Sequence, residues 1–411
     1  MAQITVPSDG SDGALVITTN TVIDLSQAVT GAWNTPNTQN PGNGVYDPGQ
    51  WAVVYKYSSV TVLSNATVTF NNHPSRAPVV WLVSGNVDIE GTVSVNGEDQ
   101  LPPPLLADGG PGGFRGGVGW LGGGVTSATG FGPGAYLLAD DNGGPDYNWG
   151  PAWGGNYGET TSGAGSPAYG NPSLIPLIGG SGGAGGNNSQ GSLGGGAGGG
   201  AMLIACAGSL TINGTVQANG GAACMDCDFS LAGSGGGIRI VANTLLGNGS
   251  VTAIGGNTGS GYYTAVDGYG RIRIERVTDN SGLQIAPDPS VLPLTNGVAP
   301  LIWMPSTGPA VTIETIGSLG APSDPRASFG AFGADLTLPP LTSATVTVLT
   351  TNVEPQSVVT VRVNPRTSGA YVDTVASVTQ TLSQTPLVLR WTASVPVNNG
   401  YSAVQVHVVR P

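Results

Sequence analysis

One three-part pattern recurs three times along the chain, and it restricts the fold more than any other feature. It runs first through Val79-Val80-Trp81-Leu82-Val83, Asn86-Val87-Asp88-Ile89-Glu90-Gly91 and Thr92-Val93-Ser94-Val95-Asn96-Gly97. It returns as Ala201 to Ala205, Ser209-Leu210-Thr211-Ile212-Asn213-Gly214 and Thr215-Val216-Gln217-Ala218-Asn219-Gly220. The third copy is Gly237-Ile238-Arg239-Ile240-Val241, Thr244-Leu245-Leu246-Gly247-Asn248-Gly249 and Ser250-Val251-Thr252-Ala253-Ile254-Gly255. Each copy reads as an apolar strand followed by two short alternating strands. Val87 and Ile89, like Val93 and Val95, stand at period two and share a face. Gly or Asn at the corners is expected to supply positive φ. A unit this small cannot bury its apolar face alone, but stacked neighbours can.

Weaker copies flank these at 15–25, 53–70 and 271–275. The chain therefore reads as all-β, with a β-helix or solenoid over 1–285 and almost no helix. A pair of stacked irregular sheets is the alternative arrangement. From Pro287 onward prolines mark a linker and glycine thins out. Alternating strands follow at Ala344–Leu349, Val358–Val363, Leu387–Trp391 and Ala403–Val409, which predicts a β-sandwich over 286–411.

Between the first two strong copies lies a glycine-rich insertion, 98–199, the densest part of a chain that holds 69 glycines and 31 prolines. A disordered linker is the default for such composition. Interleaved aromatics argue instead for order, with the glycine runs as packed polyproline II strands whose backbones touch. Trp120, Tyr136, Tyr147, Trp149, Trp153 and Tyr157 in this insertion are the candidate ligand-binding residues, because flat rings stack on sugars at little entropic cost. The competing reading makes them plugs that fill space left by glycine.

Charge excludes several partners. The chain carries 24 acidic against 12 basic residues, a formal net charge of −12. Nucleic acid and anionic membranes need clustered Lys and Arg, so neither is expected as a partner. No apolar run reaches bilayer length, and residues 1–4 run straight into β-type sequence without a signal-peptide pattern.

Catalytic parts are few. Asp88 and Glu90 alternate on one strand and form the one carboxylate pair suited to glycoside hydrolysis, yet the later copies do not repeat them. With only His73 and His407, a nucleophile–histidine arrangement has little to build from. No cofactor is expected. The 140–146 stretch has oxygen ligands enough for Ca²⁺ but no calcium-loop spacing, so turn chemistry is its expected role. Cys224 and Cys227 form a CxxC that lacks two further zinc ligands, and Cys206 reads as a small core residue.

The run Pro176-Leu177-Ile178-Gly179-Gly180-Ser181-Gly182-Gly183, with Gly194 to Gly200 entering Ala201-Met202-Leu203-Ile204, resembles glycine-rich β-solenoid surface proteins of bacteria. The alternation of glycine motifs with aromatic segments is similar to the tail-fibre tip adhesins of T-even-like phages. That resemblance implies polyproline II glycine strands supporting receptor-binding loops, here 118–128 and 135–157. The expectation is a non-catalytic attachment protein on a virion or cell surface, recognising a glycan or an outer-membrane receptor and assembling as a homo-oligomer or with other fibre subunits. The alternatives are a purely architectural fibre or capsid decoration subunit, and a β-helix polysaccharide lyase or hydrolase.

Overall fold

The computed structural model describes residues 3–119, 121, 128–135, 157, 168–186, 193–223, 230–257, 268–326, 334–367 and 369–411. Among these the chain is all-β, and its one helical element is a single 3₁₀ turn at Leu25–Gln27.

The recurring copies stack as tiers. Their first strands join one sheet in the order Ser290–Pro293, Arg271–Asp279, Gly237–Leu246, Ala201–Ile212, Val79–Val83, Ala52–Val62, Val45–Asp47, Val29–Thr30. Their last strands form a second sheet, Gln284–Ala286, Ser250–Thr252, Thr215–Gln217, Thr92–Ser94, Thr67–Asn71, Thr21–Asp24. Pairing is parallel throughout except where Val45–Asp47 meets Ala52–Val62. The larger sheet continues past residue 286 to Pro293, whereas the second ends at Ala286. In the second and third copies the expected first two strands merge into one continuous strand, with a register shift between Cys206 and Ser209.

Register aligns like residues. Tyr55, Trp81, Ile204, Ile240 and Ile274 lie opposite one another and point inward. Val68, Val93, Val216, Val251 and Ile285 form the facing column. Burying such a side chain contributes about 1.5–3 kcal/mol relative to leaving it exposed, and no single tier could do it alone.

Asparagine side chains tie the tiers at their corners. Asn96 Oδ1 accepts from the Asn219 backbone N–H at 2.7 Å, and Asn219 Oδ1 accepts from Ile254 at 3.1 Å. Asn213 Oδ1 accepts from Asn248 at 3.2 Å. The corner glycines are needed for a different reason than expected. A Cβ on Gly214 would stand 1.9 Å from the Gly91 carbonyl oxygen, and one on Gly249 would stand 2.1 Å from that of Gly214. Close approach of tiers, not positive φ, selects glycine there.

The outer face of the larger sheet is also covered. Ile4, Val6 and Ile302 pack over Val54, Val80, Leu82, Leu203 and Val241. Inside this apolar layer Arg239, 1% exposed, meets Glu275, 3% exposed, at 2.9 Å. Arg239 also donates to the Ile302 carbonyl at 3.2 Å.

The glycine-rich segments form a third body of structure with no strands of its own. Gly183 N–H donates to Gly196 O at 2.9 Å, Gly198 to Phe114 O at 2.8 Å, Gly199 to Ser234 O at 2.9 Å and Gly233 to Gly221 O at 3.0 Å. Segments from 98–199 thus interlock with 218–223 and 230–236, which belong to the later tiers. The described segments of the 98–199 insertion are therefore bonded to the later tiers. Backbones approach so closely that a Cβ on Gly198 would lie 1.9 Å from Gly180 O. Buried backbone groups need partners, and only glycine lets neighbouring segments come near enough to supply them.

The C-terminal strands build two antiparallel sheets, one of Leu319–Gly320, Ala310–Ile316, Ser343–Thr351, Leu387–Pro396 and Ser377–Gln384, the other of Val372–Val375, Val358–Pro365 and Ser402–Val409. They enclose one core containing Val346, Val348, Val359, Val361, Leu389 and Trp391. The smaller sheet lies against the glycine segments. Asn364 donates to Gly130 O at 2.8 Å, and Thr129 donates to Asn364 Oδ1 at 2.9 Å. Arg362 reaches Gly132 O and Pro133 O while held by Asp373 through two bonds of 2.8 Å.

Candidate recognition surface

The glycine segments gather their ends. Ala128 N–H donates to Val118 O at 3.1 Å, and Gly185 donates to Ala128 O at 3.0 Å. Gly186 donates to Leu193 O at 3.0 Å, Leu231 to Ala184 O at 3.0 Å, and Ala223 to Asn257 O at 2.9 Å. The described segments on either side of 119–127, 187–192 and 224–229, and the one that ends at Asn257, therefore come together at one end of the lattice. The tight spacing of the glycine backbones fixes how close these anchor points sit. These anchor points belong to connections between different tiers, which explains why no single sequence window displayed their convergence.

The aromatic candidates divide. Trp120, Tyr136, Tyr147, Trp149 and Trp153 lie outside the described residues, as do the 140–146 stretch, Cys224 and Cys227. Trp120 stands in sequence between Gly119 and Leu121, and the 136–156 stretch follows Ala135. Next to Ala135, Gly134 N–H donates to Ser181 Oγ at 3.0 Å, and Arg362 donates to the Gly132 carbonyl.

Tyr157 is a correction. It is fully buried, so its ring offers no face to a sugar. Its hydroxyl donates to Ile178 O at 2.7 Å, and its ring packs on Tyr169 with centroids 4.6 Å apart. Tyr169 donates to Gly179 O at 2.6 Å, and Arg271 holds the Tyr169 carbonyl with Nε and Nη2. Burial pushes both phenols well above their ordinary pKa, so they stay neutral donors. Tyr157 is a plug that pins its segment to the tiers.

The carboxylate pair is present but closed. Asp88 stands in register between Thr61 and Thr211, and Glu90 accepts from Asn213 Nδ2 at 2.7 Å. Burial first, then the neighbouring Glu90 charge and a hydrogen bond to it, raise the Asp88 pKa. Glycoside hydrolysis sets its two carboxyls roughly 5–9.5 Å apart with the scissile bond between them, whereas Asp88 and Glu90 are near enough to couple through charge and hydrogen bonding. An acid with a raised folded pKa opposes folding when ionised, and that cost disappears as pH falls through the folded pKa. Asp88→Asn is therefore expected to raise stability at pH 7 by a few tenths to about 1 kcal/mol, discounted for partial solvation. The difference should close as pH drops into the ordinary carboxylate range, and urea melts across pH would show it. A variant less stable than wild type at pH 7 would refute this account.

Cys206 is buried and donates weakly to Gly208 O, and burial pushes its thiol up to about 12. It is a core residue without thiolate chemistry. No group of three or more His, Cys, Asp or Glu side chains suited to a metal occurs among the described residues.

One cavity of about 140 Å³ opens on the outer face of the larger sheet, between Pro78, Val80, Leu203, Ile175–Leu177 and Trp303. Arg239 borders it, with its guanidinium engaged by Glu275 and two carbonyls. The cavity is lined chiefly by apolar groups, and nothing in it singles out a ligand.

Phe229, Tyr262 and Tyr263 stand in the later glycine-rich connections, which the sequence reading did not single out, and they lie outside the described residues. The available signal was that aromatics interrupt each glycine-rich connection between tiers, not the long one alone. Comparison with family models, with curated proteins and with solved structures finds no match for this chain.

Proposed function

We propose that the chain is a non-catalytic attachment protein of a virion or cell surface. In this reading the tiers are a β-solenoid, the glycine segments are a polyproline II-type lattice growing from it, and the C-terminal sheets are a β-sandwich bracing its side. The lattice places its end-connections together as a composite surface that meets a cell-surface glycan or outer-membrane receptor. The single observation carrying this reading is the convergence, at one end of the lattice, of the described segments that flank 119–127, 187–192, 224–229 and 258–267. A rigid base that holds several variable connections side by side is the arrangement recognition surfaces use. The acidic net charge and the closed Asp88–Glu90 pair favour it over nucleic-acid binding and over polysaccharide cleavage.

The test replaces 224–229 and 258–267, together with Trp120, by Gly-Ser sequence of equal length, leaving every lattice glycine in place. Wild type is expected to bind host-type cells or a glycan array, and the folded variant to lose at least about tenfold in affinity, roughly 1.4 kcal/mol. Full binding by the variant would move recognition to 136–156. No binding by either protein would leave an architectural fibre or capsid decoration subunit as the better reading.

A further inference from the structure

Asn-Gly pairs occur throughout this chain, and the structure separates those among its described residues into two chemical classes. At the tier corners the glycine N–H following each asparagine is bonded to the next tier. Gly97 donates to Asn219 O, Gly214 to Ile89 O, Gly220 to Ile254 O and Gly249 to Ile212 O, each at 2.9 Å. Asn96, Asn213 and Asn219 also have their own side chains engaged as ladder acceptors. Asn43 is held similarly, with Nδ2 on Asn40 and Gly44 N–H facing Asp12 Oδ1 at 3.4 Å.

Asn296-Gly297 and Asn399-Gly400 differ in every respect. All four residues are exposed. Gly297 and Gly400 have φ of +78° and +103°, with open space where a Cβ would stand. Neither glycine N–H nor either asparagine side chain has a hydrogen-bond partner among the described residues. The first pair forms a turn closed by Val298 N–H on Thr295 O at 3.1 Å. The second lies in the connection from Leu387–Pro396 to Ser402–Val409, which links the two C-terminal sheets.

We infer that Asn296 and Asn399 are sites of spontaneous covalent modification, while the tier-corner asparagines are protected by their ladder. The glycine nitrogen, having lost its proton to solvent base, attacks the asparagine Cγ and forms an N–C bond. The side-chain nitrogen leaves as ammonia, and a succinimide remains. Water then opens the ring at one of its two carbonyls, giving aspartate or isoaspartate. No oxidant or reductant is involved, and water is the only co-reactant. Attack requires a free nitrogen and a backbone able to rotate it toward Cγ, conditions that the two turns meet and the ladder denies. Each event adds one negative charge, and isoaspartate also lengthens the main chain by one carbon within a turn.

The experiment incubates the full chain at mildly alkaline pH and follows each site by peptide mapping, with fragmentation that distinguishes isoaspartate. A parallel sample is held in denaturant. In the folded protein, positions 296 and 399 are expected to convert at least about tenfold faster than 96, 213, 219 and 248, the factor that a local opening cost of only about 1.4 kcal/mol imposes. In denaturant the difference should vanish, because every Asn-Gly pair is then equally free. Equal conversion at ladder and turn sites in the folded chain would overturn the inference. So would intact residues 296 and 399 in a folded chain whose denatured counterpart reacts there.

Discussion

Gly198→Ala is expected to destabilise the protein by about 3 kcal/mol or more, or to prevent folding altogether. The added methyl would sit 1.9 Å from Gly180 O and 2.3 Å from its carbonyl carbon. Neither atom belongs to a side chain that can turn aside. Relief would require two segments to separate, breaking Gly198 N–H to Phe114 O and weakening Gly180 N–H to Gly199 O, both 2.8 Å. Each separated pair would leave a buried donor or acceptor without a partner. The control is Gly320→Ala, where a Cβ meets nothing within 4 Å and φ is not positive; it should stay within about 0.5 kcal/mol of wild type. Thermal and denaturant melts of the two variants decide the matter. A Gly198→Ala protein as stable as the control would mean that the glycine segments do not pack as a lattice.

The second large effect lies on the outer face of the larger sheet. Glu275→Ala is expected to cost about 3–5 kcal/mol, because it strands the Arg239 guanidinium inside an apolar layer. Burial pushes the Arg239 pKa down and the Glu275 charge opposes that shift, but an arginine cannot shed its proton at any ordinary pH to escape. Its bonds to the Leu301 and Ile302 carbonyls would remain without a counter-charge. Arg239→Met with Glu275→Leu should recover most of the loss, since apolar replacement of a buried ion pair is often neutral. Denaturant melts of the single and double variants check both statements. If the single variant unfolds at the wild-type midpoint, the pair is solvated and this account of the outer face is wrong.

These two effects have different visibility in the sequence. The tiers were legible because parallel stacking repeats one chemical demand at a fixed offset. Val87 and Ile89 recur as Leu210 and Ile212, and the Asn-Gly corners recur with them, so local pattern and tertiary neighbour coincide. The C-terminal strands were legible for a similar reason, since period-two alternation reports a half-buried face directly. The acidic charge and the shortage of histidine were likewise sequence properties, and they bound the functional classes without reference to shape.

Only the tertiary structure decided the rest. A glycine carries no side chain, so nothing in Gly194 to Gly200 indicates which backbones it will touch. The partners of those glycines, from Val95 to Ser234, are set by where the tiers deliver the segments. For that reason the sequence showed 98–199 only as a glycine-rich insertion, and the interlocking of its described segments with later tiers emerged from the fold. Tyr157 looked like a binding ring because exposure is not encoded locally; three residues from other parts of the chain, Ile178, Tyr169 and Arg271, close over it. Arg239 and Glu275 could have been paired only once parallel register placed their strands side by side. Periodic burial is written along a chain, whereas backbone contact and charge pairing between distant segments exist only after the chain has folded.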